Sequence, residues 1–218
     1  MALTSRVERI EPVTADEWRA SKKARMGVES NTRLTASVAA VLLALLFAEG
    51  VTIVRIRTFL PVHVFLGMLL VPPVLLKIGS TTYRFARYYS GSRAYRRKGP
   101  PSPLLRILGP FVAVSTVAVV ASGIALLLVG RGLRQDMLFA HKATFVLWFV
   151  VMTVHVLGHL RETARFAPRD WARKTRASVE HAKARQWAVV SSVVLGVPLG
   201  MLLISRVGPW LSAPLSGH

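Results

Sequence analysis

Five stretches of this chain run for 18 or more residues with almost no charge: Leu34–Val54, Leu60–Tyr83, Ile107–Val129, Met137–Leu160 and Trp187–Ile204. A helix needs about 20 apolar residues to cross roughly 30 Å of hydrocarbon. The runs are continuously apolar rather than alternating. A helix satisfies its own backbone hydrogen bonds in lipid, so the runs predict membrane-spanning helices and not barrel strands. Charged residues make up 18% of the chain, below the quarter or so of an ordinary soluble domain. The expected fold class is all-α: a polytopic membrane protein with a four-helix bundle and a fifth transmembrane helix. Pro72-Pro73 and Pro198 fall inside spans and predict kinks there.

A net charge of +19 would suggest nucleic acid as the partner of a soluble chain. The distribution of the charge points elsewhere. Of 29 Lys and Arg, 22 lie before the first span, between the second and third, or between the fourth and fifth; five lie on the opposite side, and Lys77 and Lys142 fall within spans. This asymmetry predicts a cytoplasmic N-terminus and an external C-terminus in the cell membrane. It assigns the basic charge to topology and anionic lipid, with no nucleic acid. The first 30 residues have no apolar run, which predicts no cleavable leader. With no cysteine, disulfides, zinc–thiolate sites, iron–sulfur clusters and c-type haem attachment are excluded.

The expected organisation follows. Residues 1–32 form a basic, loosely ordered cytoplasmic arm with a capping box at Thr14–Glu17. Residues 33–163 form the four-helix core. Residues 164–186 form a basic cytoplasmic loop, with an amphipathic helix over Trp171–Gln186. Residues 187–206 form the fifth span and 207–218 an external tail. Gly99–Pro103 reads as a stiff turn.

Four of the six histidines fall in apolar spans: His63, His141, His155 and His159. A histidine in the bilayer either hydrogen-bonds between helices or has a function. The second and fourth spans run in the same direction. His63 and His141 lie three and four residues into them, so their imidazoles are expected at one depth near the outer face. Two imidazoles at one level can clamp a haem iron, and bis-imidazole ligation suits electron transfer. His155 lies 14 residues beyond His141, about 21 Å down the helix on much the same face. It could ligate a second haem, but no other span offers it a partner histidine.

Lys77, at the depth of His155, could approach a propionate, ligate iron as a neutral amine, or snorkel to headgroups. Lys142 and Arg134 could pair with propionates or face headgroups. Gly67 could admit a flat macrocycle, or serve as a helix contact, as could Gly158. Phe65, Phe145, Trp148 and Phe149 could line a haem pocket or pack against neighbours. Glu49 could serve proton or quinone chemistry, or pair with Arg55, Arg57 or a group on the second span.

These residues resemble the bacterial b-type cytochromes of the cytochrome b561 and nickel–iron hydrogenase cytochrome b superfamily, which includes the formate dehydrogenase membrane subunit. The resemblance covers about residues 33–163. It implies that His63 pairs with His141, the first of two histidines 14 residues apart in the fourth helix, and that His155 stands at the second position. In that family the remaining ligand comes from early in the first helix, where this chain has Arg33, Thr35 and Ser37. The stretch His63–Gly67 through Pro72-Pro73, Leu76-Lys77, Ser80-Thr81 and Tyr83–Tyr89 is also similar to short actinobacterial members. The resemblance implies haem b as cofactor, with electrons passing between a partner oxidoreductase subunit and the quinone pool. The chain would then act as an electron-transfer subunit rather than a stand-alone enzyme. The alternatives are a haem-free structural membrane protein and a proton-linked transporter using Glu49, Lys77 and the histidines as a relay.

Overall fold

The structure is a computed structural model that describes residues 14–99, 103–172 and 181–211. No strand occurs among them. The long helices are α1 (Ala15–Val54), α2 (Ile56–Tyr89), α4 (Pro103–Leu128), α5 (Arg134–Trp171) and α6 (Ala182–Ile204); α3 (Arg93–Lys98) is a short connector. All five long helices are apolar enough over a sufficient length to cross a membrane. The chain is an all-α, polytopic membrane protein.

The helices outrun the apolar stretches at their polar ends. Residues 15–32, expected to be a loosely ordered arm, are the first turns of α1. The capping box explains the start: Glu17 N–H donates to Thr14 Oγ1 at 3.2 Å, and Thr14 N–H donates to Glu17 Oε2 at 3.0 Å. Residues 1–13 lie outside the described part. Similarly, α5 continues to Trp171, well past the expected end of the span. Of the amphipathic helix expected over 171–186, residues 173–180 lie outside the described part, and Ala182–Gln186 open α6. Helix α2 is unbroken through Pro61, Pro72 and Pro73. Gly99 ends α3 at φ 77, a left-handed conformation that glycine adopts without strain.

Between spans the contacts are small residues and polar pairs, as expected where lipid gives helices no hydrophobic reason to associate. Only Arg55 separates α1 from α2. Their far ends are tied by Asn31 Nδ2 donating to the Ser80 carbonyl at 3.2 Å, Thr35 to Ser80 Oγ at 3.1 Å, and Lys77 Nζ to the Thr35 carbonyl at 2.9 Å. Trp148 Nε1 of α5 donates to Thr116 Oγ1 of α4 at 3.0 Å. Helix α6 lies directly on α2. A Cβ on Gly196 would meet the Leu69 backbone at 2.6–3.0 Å, and one on Gly200 would meet the Phe65 ring at 2.5 Å. Val38 and Leu42 of α1, Leu70 of α2 and Val189 of α6 form a buried apolar cluster. Phe47 and Phe139 stay 76% and 74% exposed, a surface suited to lipid.

Candidate functional site

At the end of the bundle that holds the α1–α2 turn, α1, α2, α4 and α5 enclose an apolar cavity of about 230 Å³. His63 and His141 both line it. Each lies seven residues beyond the first residue of its helix, Ile56 for α2 and Arg134 for α5. Equal depth in parallel helices brings the imidazoles opposite each other, with ring centres 6.5 Å apart and planes at 75°.

The neighbours of each ring fix its tautomer. His63 Nδ1 lies 3.0 Å from Glu49 Oε1 and 2.9 Å from Thr52 Oγ1, both on α1. The Thr52 hydroxyl also lies 2.6 Å from the Glu49 carbonyl; with its single proton there, it accepts from His63. With the hydrogen on Nδ1, Nε2 carries the lone pair.

His141 follows the same logic with a different partner. Its Nδ1 lies 3.0 Å from Ser122 Oγ on α4. Ser122 donates to the Val119 carbonyl at 3.0 Å, while Thr144, 3.0 Å from Ser122, gives its own proton to carbonyls on α5. With the Ser122 proton on that carbonyl, Ser122 accepts from His141 Nδ1–H, and Nε2 is again the lone-pair nitrogen. Gly123 leaves room for the ring: a Cβ there would stand 3.1 Å from His141 Cε1. Two neutral imidazoles thus each keep one nitrogen able to bind a metal, in an apolar chamber.

The spacing suits that chemistry. At a metal–imidazole nitrogen distance of about 2.0 Å, two rings bound on opposite sides of one metal have their centres about 6.3 Å apart. No group of three or more His, Cys, Asp or Glu positioned for a bare metal ion occurs among the described residues. Two imidazoles fill only two positions, so a metal held here must bring its other ligands with it, as a porphyrin does.

No family model, curated protein or solved structure matches this chain. Its chemistry has to be read from the residues themselves.

Several expected residues join the site. Gly67, Phe145 and Trp148 line the cavity. Gly67 faces Glu49, whose Oε1 would lie 3.4 Å from a Cβ at that position. Glu49 lines the cavity too, and takes a group on the second span, His63, rather than Arg55 or Arg57 as its partner.

Others stand apart. Lys142 is exposed and does not line the cavity. Phe65 packs on Gly200 and Phe149 is exposed. Gly158 accommodates Leu105 of α4. Lys77 Nζ donates to the Thr35 carbonyl, which ties α1 to α2, and it does not line the cavity. His155 lies outside the cavity. Its ring neighbour is His159, one turn along α5, at 4.7 Å, and its Nδ1 is buried without a hydrogen-bond partner. No imidazole from a second helix faces it among the described residues.

Sequence reasoning missed Thr52, Ser122, Gly123 and Trp210. Trp210 follows α6 in what was expected to be an external tail, yet it lines the cavity. Arg134, at the start of α5, places its guanidinium 4.8 Å from the Trp210 ring centre and donates to the Pro209 carbonyl at 3.3 Å. The segment after α6 thus folds back over the site.

Proposed function

We propose that this chain is a membrane b-type cytochrome that holds haem b between His63 and His141 and passes electrons between a partner oxidoreductase subunit and the quinone pool. One observation carries the proposal: two imidazoles from different helices, each pinned at Nδ1, stand 6.5 Å apart across an apolar cavity. The residues fit the group in ring spacing and apolar surroundings. Haem bound by two imidazoles supplies one-electron chemistry without an open position for oxygen.

The chain's own groups do the rest. Glu49 and Thr52 orient His63, and Ser122 orients His141. Met68, Leu126, Phe145 and Trp148 line the chamber, and Trp210 covers its end. The resemblance to the cytochrome b561 and hydrogenase cytochrome b superfamily supports the same pairing. The clustering of Lys and Arg orients the basic end toward the cytoplasm of the cell membrane, which sets the cavity near the external face. The departure at the first helix, with no histidine, and the absence among the described residues of a second imidazole facing His155 support one haem per chain.

A dithionite-reduced absorption spectrum of the purified protein tests the proposal. Sharp α and Soret bands of a b-type haem are expected. Colourless protein from haem-sufficient cells contradicts it.

A further inference from the structure

Helix α1 contributes no histidine to the site, yet it supplies both groups that touch His63 Nδ1. Glu49 is costly where it stands: its side chain is 14% exposed inside an apolar bundle, and its Oε2 is buried without a hydrogen-bond partner. At Gly67 a Cβ would stand 3.4 Å from its Oε1, in van der Waals contact. Thr52, three residues on, places its hydroxyl 2.6 Å from the Glu49 carbonyl and 2.9 Å from the same ring nitrogen.

We infer that Glu49, with Thr52, is a positioning pair that locks His63 as its Nδ1–H tautomer and, through the ring, sets the electron affinity of the metal bound at Nε2. This rests on the haem proposal above. A ring N–H that donates to a strong acceptor makes the opposite nitrogen more basic, and a more basic ligand favours the oxidised metal. The Glu49 carboxyl oxygen, 3.0 Å from Nδ1, stands where such an acceptor is needed. Helix α1 thereby tunes an iron that α2 and α5 hold.

The test is an equilibrium redox titration of the full-length protein, followed at the α band, for wild type, Glu49→Gln and Thr52→Val. Both variants are expected to keep haem and to move to higher potential. For Glu49→Gln the reduced-to-oxidised ratio at a fixed applied potential rises about tenfold, equivalent to 59 mV for a one-electron couple. Thr52→Val moves it the same way by less. A merely structural role for Glu49 would lower haem content and leave the potential of the remaining haem in place, and that result overturns the inference. Should Glu49→Gln not fold, Thr52→Val decides alone, and an unchanged potential counts against the pair. Ring-nitrogen NMR of labelled haem-free protein tests the tautomer separately: protonated Nδ1 at His63 supports the lock, and protonated Nε2 refutes it. A wild type that binds no haem removes the haem proposal and with it the electrochemical claim, while the NMR result still stands on its own.

Discussion

Three hydroxyl and carboxyl groups decide what two histidines can do. Thr52, Glu49 and Ser122 hold the two rings at Nδ1, which leaves the other nitrogen of each ring without a partner among these three groups. Replacing His63 or His141 by Ala is expected to abolish haem binding, while His155→Ala keeps it, as read by the Soret absorbance per protein. At the other end of the molecule, Glu17 shows a pH effect with a defined sign. Thr14, by its backbone N–H and then its hydroxyl, holds the Glu17 carboxyl below its ordinary value of 4.5. The group favours the folded helix start above that value, and the contribution is lost as pH falls through the lowered one. The protection of first-turn amides of α1, measured against the intrinsic exchange rate at each pH, should therefore fall on acidification. Thr14→Ala should show fast exchange already at neutral pH, for a local loss of about 1 kcal/mol. The capping box was legible because its spacing is local. Thr52 and Ser122 were not, because serine and threonine are common in spans and the register between helices is not written in either one.

Among the elements, α6 is less of an add-on than a fifth apolar run suggests. Gly196 and Gly200, four residues apart, sit against the Leu69 backbone and the Phe65 ring, close along α2 to His63. Gly196→Leu should force the two helices apart at a cost of about 1–3 kcal/mol, seen as a lower thermal midpoint. Substitution at Gly109, where a Cβ would meet nothing within 4 Å, should leave the midpoint in place. The spans themselves were legible because hydropathy and length suffice for them. The helical starts and ends were not. Residues 15–32 and 161–171 are polar, and their helicity follows from the cap and from continuity with a span rather than from an apolar run. Trp210 was illegible for a related reason: nothing in the spacing of a short segment past the last span says that it folds back over a cavity.

Across the whole molecule, charge and apolar surface partition along one axis. The α1–α2 turn, the cavity and Trp210 lie at one end, and most of the Lys and Arg lie at the other. The absence of cysteine makes the orientation easy to check. Gly132→Cys should react with a membrane-impermeant maleimide on intact cells, and Arg93→Cys only after permeabilisation. The depth match of His63 and His141 was legible from counting along parallel helices. The fate of His155 was not, since its distance from other ring-bearing helices is a property of the assembled bundle. The central claim is most directly tested by pyridine haemochrome quantification of wild type beside His63→Ala, His141→Ala and His155→Ala. One haem per chain in the wild type and in His155→Ala, with none in the other two, is the predicted result. Full haem content in His63→Ala contradicts the account.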